Sequence, residues 1–236
     1  PLADGHQLDQ GMCVYFHGLY FSKYYGINAH WMEMARPLIS LGAQAPRVHD
    51  SYAYGPIIGN DFMSEYALKS GDMEYFENGN CRQQVLWQTL CSDNIGGGGT
   101  FGDDGAWRGS IPVALFYKAN WYYGDDTFKW LLQGRRPPVG YFANDRPAAK
   151  PEQLLGVALV PLNERLYQVA STTKRDAGSG AWTPDMVPPE RAFDKLSFRT
   201  DFGENDQYLL LEGLGAIPHG HLDVGSILRF TDNGRL

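Results

Sequence analysis

The spacing of apolar residues changes near residue 163 of this 236-residue chain, and no all-α or all-β fold accommodates both parts. Upstream, apolar and aromatic residues fall at helical spacing between glycines and prolines. Residues 12–25, 30–41, 61–69, 81–90, 111–123 and 126–132 each read as a helix. The first is apolar on most faces, as a buried helix is, and Gly26 is placed to end it. Pro37 predicts a kink or break in the second. Downstream, residues 165–172, 195–200, 207–212 and 226–231 alternate apolar with polar, which is the period of a strand. Residues 176–189 are rich in Gly, Ser and Pro and read as a surface connection. Asp232-Asn233-Gly234-Arg235 predicts a type I′ hairpin turn, because Asn-Gly tolerates the positive φ that this turn demands. The expected class is α+β, with helices over residues 1–162 and an antiparallel sheet over residues 163–236.

A weak repeat supports a helical array. Tyr24-Tyr25-Gly26-Ile27-Asn28, Lys69-Ser70-Gly71-Asp72-Met73 and Tyr122-Tyr123-Gly124-Asp125-Asp126 each lie between two helical stretches. Each can join the arms of one helical hairpin in an α/α array. The plainer reading is that Gly ends one helix at C′ while Asp caps the next. Residues 96–99 are four successive glycines, followed by Phe101-Gly102-Asp103-Asp104-Gly105. No Gly-Lys-Ser/Thr ending follows, so this is no phosphate loop, and a flexible connection is expected.

Composition narrows the function. A hydrophobic share of 43% with 20% charged residues excludes disorder for most of the chain. The net charge of −7 argues against general nucleic-acid binding, which needs a positive face. No stretch stays apolar for the roughly eighteen residues a spanning helix requires, so no membrane partner is expected. No secretory leader opens the chain, which starts at Pro1 without Met; both ends read as cut, and a fragment is expected. Cys13, Cys81 and Cys91 form no CxxC motif and read as buried free thiols, with a disulfide between two of them left open.

Two clusters can carry chemistry. In the first, Tyr15, His17 and Tyr20 lie on one predicted helix, with His17 and Tyr20 sharing a face. A phenol near an imidazole can form a proton-transfer pair if a cation draws the phenol pKa down from about 10. An aromatic core stripe explains the same residues without chemistry. The second cluster is Pro218-His219-Gly220-His221-Leu222-Asp223. In an extended segment His219, His221 and Asp223 project to one side. They can ligate a metal, or one imidazole can act as base while Asp223 orients it. A zinc site takes about four ligands, so this segment is at most part of one.

From Phe193 to Arg235 the chain resembles the heparinase II/III-like polysaccharide lyases. The resemblance rests on Phe193-Asp194-Lys195-Leu196-Ser197-Phe198-Arg199-Thr200, on Asn205-Asp206-Gln207-Tyr208-Leu209-Leu210-Leu211, on His219-Gly220-His221-Leu222-Asp223-Val224-Gly225-Ser226-Ile227, and on Asn233-Gly234-Arg235. It extends more loosely to Asp4-Gly5-His6-Gln7-Leu8-Asp9-Gln10-Gly11, which is similar to the family's entry into a helix bearing a catalytic Tyr. It implies the C-terminal part of an α/α toroid over residues 1–162 and the start of a truncated β-sandwich over residues 163–236.

The resemblance also implies an activity. The family splits uronate-containing acidic polysaccharides, such as glycosaminoglycan or alginate chains, by β-elimination. By position Tyr15 is the first choice for the catalytic Tyr, with His17 and Tyr20 as alternatives, and His219 matches the catalytic His. His221 matches a His that some members use as a structural zinc ligand. The carboxylate-neutralising residue of the family precedes Asp4-Gly5. A periplasmic or secreted location follows from the substrate class alone.

Two other functions fit the sequence. An α/α-barrel glycoside hydrolase needs a pair of carboxylic acids, for which Asp103, Asp104, Asp125 and Asp126 are available although they read better as helix caps. A non-catalytic carbohydrate-binding protein needs neither acid nor base. For any of the three, Trp107, Trp121 and Trp130 can stack on sugar rings, and Arg47 or Arg108 can pair with carboxylates.

Overall fold

The computed structural model describes residues 5–44, 52, 61–99, 111–133, 135, 144–159, 193–213 and 225–236. Six α-helices come first among the described residues: α1 Gly5–Tyr25, α2 His30–Gln44, α3 Asp61–Ser70, α4 Glu74–Glu77, α5 Asn80–Leu90 and α6 Val113–Tyr123. Two 3₁₀ helices, Asp126–Leu132 and Glu152–Leu154, lead into the strands β1 Gly156–Leu159, β2 Lys195–Arg199, β3 Tyr208–Glu212 and β4 Ile227–Thr231. The strands form one antiparallel sheet in chain order. The class is therefore mixed α+β.

Close backbone approach joins α1 to α2. A Cβ on Gly11 would sit 3.2 Å from Leu38 Cβ, and one on Gly18 would sit 3.0 Å from Trp31 Cβ. These glycines recur on one face of α1 and let α2 lie against it, while Met12 and Tyr15 enter the core beside Ala35 and Ile39. Pro37 lies inside α2 and neither breaks nor ends it.

The repeat resolves into one recurrent helix end. Gly26, Gly71 and Gly124 have φ of 68°, 79° and 67°. Their N–H groups donate to Ser22, Ala67 and Asn120 carbonyls at 3.1, 2.9 and 2.9 Å. This left-handed cap satisfies a terminal carbonyl and turns the chain. The acid that follows caps the next helix twice: Asp72 Oδ1 accepts from Glu74 N–H at 3.3 Å, and Asp125 Oδ1 accepts from Thr127 N–H at 3.1 Å.

The sheet turns a polar face toward the helices. Lys195, Ser197 and Arg199 of β2 are buried, as are Tyr208, Leu210 and Glu212 of β3. Helix α5 supplies the compensating partners. Trp87 Nε1–H donates to Asp194, whose other oxygen receives Lys195 Nζ at 2.7 Å; the same ammonium reaches Glu212 at 2.9 Å. Arg199 donates to the Thr89 and Ser92 carbonyls and to Asn94 Oδ1, with its guanidinium carbon 4.3 Å from the Tyr208 ring centre and 5.2 Å from that of Trp130. Tyr208 Oη donates to Leu90 O at 2.8 Å. The last turn of α5 thus hands its orphan carbonyls to the sheet.

The opposite face carries two apolar rows. Register aligns Val157, Phe198, Leu209 and Phe230 across all four strands, and Leu159, Leu196, Leu211 and Ile227 beside them. Val157, Leu159, Ile227 and Phe230 are exposed.

Other expectations change here. Strand β1 begins at Gly156, upstream of the boundary expected at residue 163, and was too short to show a period. The predicted strand 165–172 and the connection 176–189 lie outside the described residues. Within the 96–99 run Gly97 and Gly98 are tightly packed rather than loose, while Gly96 is exposed with open space where a Cβ would sit. A Cβ on Gly98 would meet the Tyr52 ring at 2.3 Å, and one on Gly97 would meet Arg229 Nη2 at 2.2 Å. Asp93 Oδ1 accepts from Ile95 and Gly97 N–H at 2.9 and 2.7 Å, and its other oxygen pairs with Arg229 of β4. At the far end Asn233 and Gly234 have φ of 52° and 68°, and Asp232 and Arg235 exchange both backbone hydrogen bonds at 3.0 Å. That is the expected hairpin turn. All three thiols are free; Cys81 and Cys91 are buried, whereas Cys13 is exposed, against the expectation of burial.

Candidate functional site

Helix α1 divides the three aromatic candidates between its faces. Tyr15 points inward and is 3% exposed, with its ring edge-on to Tyr66 of α3 at 4.9 Å. Burial pushes its phenol pKa up, and the neighbouring Tyr66 adds to this; Arg36 and a hydrogen bond from Ser70 oppose the rise. Tyr66 is raised for the same leading reason. The direction is opposite to that of a phenolate base. Tyr15 therefore keeps its proton near neutrality.

His17 lies on the other side and is exposed. Its Nδ1 lies 2.7 Å from the Cys13 carbonyl. A carbonyl only accepts, so Nδ1 carries the hydrogen in the neutral ring and the lone pair resides on Nε2. His17 also lines an apolar cleft of about 260 Å³ with Met12, Cys13, Phe16 and Phe62. An imidazole lone pair at the rim of such a cleft can accept a proton from a bound molecule. Tyr20 is half exposed and belongs to an aromatic group with Phe21, Tyr24 and Tyr25 farther along the helix.

His219 and His221 lie outside the described residues. The strands flanking them are described: Gly213 N–H donates to Asp194 O at 2.7 Å, and Gly225 N–H donates to Glu212 O at 2.8 Å. Gly213 and Gly225, which flank the segment in sequence, therefore lie beside the Lys195–Asp194–Glu212 cluster. Burial works to lower the Lys195 pKa, but the two carboxylates outweigh it and hold the ammonium above its ordinary value. Among the described residues no group of three His, Cys, Asp or Glu side chains can hold a metal.

The remaining candidates separate by burial and pairing. Trp130 is 8% exposed and packs on Phe202 and Arg199, so it is a core residue rather than a sugar platform. Trp121 is exposed. Trp107, Arg47, Arg108, Asp103 and Asp104 lie outside the described residues. Asp125 caps its helix and pairs with Arg82 at 2.9 Å, while Asp126 is held by Lys129 and Arg146 at 3.2 Å each. Those two acids act as a cap and an ion-pair partner, which removes them as a hydrolytic pair.

The neighbours of Tyr15 were not legible in sequence. Tyr66, Ser70 and Asp72 come from α3 and its terminating turn, and Arg36 comes from α2. Helical periodicity over residues 61–69 gave no sign that Tyr66 meets Tyr15. Compared with known proteins, the chain matches no family model, no curated protein and no solved structure.

Proposed function

We propose that the protein is a polysaccharide lyase that cleaves uronate-containing acidic polysaccharide by β-elimination. The observation that carries this reading is the agreement between the segments resembling the heparinase II/III-like lyases and the β2–β3–β4 meander. Three successive antiparallel strands, with the His219-Gly220-His221 segment between the second and third and an Asn-Gly turn after them, follow the order in which those segments occur. The two apolar rows on the outer sheet face support the sandwich part of the same reading, since an apolar face of that extent calls for a covering layer.

In the proposed reaction the C5–H proton passes to an imidazole, the C5–H electron pair becomes the C4–C5 double bond, and the C4–O bond breaks with its electrons on oxygen. A phenol then protonates the departing oxygen, and no water is consumed. Screening of the uronate carboxylate makes the C5 proton acidic enough to leave. His219 is the first choice for the base, with His17 as the alternative already holding its lone pair on Nε2. Tyr15 is the first choice for the proton donor by its position in the resemblance; Tyr20, half exposed on the same helix, is the second choice. A structural zinc, if bound at His221, lies outside these steps.

The test is incubation with alginate, heparin or polygalacturonate while ultraviolet absorbance is followed. Elimination produces an unsaturated uronate that absorbs, whereas a hydrolase raises reducing ends with no absorbance and a binding protein does neither. Tyr15→Phe and His219→Ala abolish turnover if the reading is right. Activity that persists in both variants sinks it.

A further inference from the structure

The dipeptide Asn-Gly occurs twice in the chain, at Asn78-Gly79 and at Asn233-Gly234, and the fold treats the two in opposite ways. Such a pair can react with itself. The glycine amide nitrogen can attack the asparagine Cγ and expel ammonia, and a glycine crowds that nitrogen least because it has no Cβ. The reaction asks for a free nucleophile, a free side-chain amide and a backbone able to rotate.

Both asparagines are exposed, so access to solvent does not separate them. Hydrogen bonding does. At the first pair every reacting group is held. Gly79 N–H donates to Phe76 O at 3.2 Å, Asn78 Oδ1 accepts from Asn80 N–H at 2.9 Å, and Asn78 Nδ2 donates to Ala43 O of α2 at 2.8 Å. The pair also joins α4 to α5, so rotating its backbone disturbs both helices. At the second pair, among the described residues, neither the Asn233 side chain nor the Gly234 N–H has a hydrogen-bond partner. The turn is closed by the two Asp232–Arg235 bonds, and Asn233 N–H donates to Asn205 O at 3.2 Å. It extends from β4, the last strand of the sheet. Opening these three bonds lets the turn rotate without unpairing the sheet.

We propose that Asn233 is a site of spontaneous covalent modification, converted to aspartate and isoaspartate through a cyclic imide with Gly234, while the fold protects Asn78. The bond from Gly234 N to Asn233 Cγ forms, the Cγ–Nδ2 bond breaks, and ammonia leaves with the glycine N–H proton. Water then adds to one of the two imide carbonyls and opens the ring. One opening leaves aspartate; the other leaves isoaspartate, whose main chain runs through Cγ. Nothing is oxidised or reduced. Either product adds a carboxylate to a turn that already carries Asp232 and packs on the Glu204–Asn205 backbone. Isoaspartate also lengthens the main chain by a carbon, so Asp232 and Arg235 no longer match across a two-residue turn. The modification therefore loosens the turn from residues 204–205. It uses no residue of the proposed elimination and stands whether or not that reading does.

Incubation of the whole chain at mildly alkaline pH, followed by peptide mass spectrometry, tests this. Folded protein is expected to convert Asn233 about tenfold faster than Asn78, giving paired aspartate and isoaspartate peptides. In guanidinium chloride the two sites should convert at comparable rates, because the hydrogen bonds that distinguish them are gone. Asn233→Gln should remove the new acidic band on isoelectric focusing, since the longer side chain closes the ring poorly. The proposal is overturned if folded Asn78 converts as fast as Asn233, or if Asn233 converts in denaturant and not in the folded chain. It is also overturned if the acidic band persists in Asn233→Gln. A difference between the sites that survives in denaturant overturns it too, since neighbouring residues rather than the fold would then set the preference.

Discussion

Replacing Arg199 by Met tests how the helices are fixed to the sheet. The side chain is 1% exposed and donates to the Thr89 and Ser92 carbonyls and to Asn94. In the variant Leu90 O keeps the Tyr208 hydroxyl and Thr89 O keeps the Ser92 N–H at 3.3 Å, so Ser92 O and Asn94 Oδ1 are the acceptors that lose their donor. Each orphaned buried acceptor costs about 1–3 kcal/mol. The methionine regains part of the packing on Tyr208 and Trp130, and the desolvation cost of the guanidinium disappears. A net loss of about 3 kcal/mol is expected from these opposing effects. Urea unfolding followed by tryptophan fluorescence measures it, since Trp87 and Trp130 both border the interface. Arg199→Lys keeps the charge but not the planar fork, and should recover less than half of the loss. A loss below about 1 kcal/mol for Arg199→Met, or full stability for Arg199→Lys, refutes the reasoning.

Other outcomes follow from the same geometry. Gly98→Ala places a methyl 2.3 Å from the Tyr52 ring and should cost about 1–3 kcal/mol, measured by the same unfolding experiment. Asp126 has its pKa held down: burial opposes this, but Asn120, Lys129 and Arg146 prevail. Its contribution to stability is therefore present above about pH 4 and lost as pH falls through the lower folded value, so Asp126→Asn should flatten the acid limb of the stability profile. Lys195 is shifted the other way, and its contribution is whole below about pH 10 and lost as pH rises through the higher folded value. Glu212→Gln should bring that alkaline loss to lower pH. Tyr52, pushed up to about 12 by burial, should ionise well after the exposed tyrosines in a spectrophotometric titration, unless the chain unfolds first.

The elements that sequence disclosed were those whose signal is local. Gly26, Gly71 and Gly124 are placed by left-handed backbone geometry, and Asn233-Gly234 by the turn it alone suits, so each was readable from a few residues. Strands β2, β3 and β4 showed their period, but period two does not say which set faces inward. Lys195 and Arg199 are buried because Asp194, Glu212 and the carbonyls ending α5 receive them, and apart from the adjacent Asp194 those partners come from other elements. The tight packing of Gly97 and Gly98 likewise depends on Arg229 and Tyr52, which no local pattern links to a glycine run. On α1 the sequence singled out Tyr15, His17 and Tyr20 as a group worth weighing. It did not reveal that Tyr15 and His17 occupy opposite faces, that Tyr66 meets Tyr15, or that burial drives the phenol pKa upward.

The most direct test of the proposed activity is the ultraviolet absorbance of a polyuronate incubated with the native protein and with Tyr15→Phe. The account predicts a steady rise for the native protein, from the new C4–C5 double bond, and none for the variant at unchanged helical content. New reducing ends without any rise in absorbance, or equal rises for the two proteins, would contradict it.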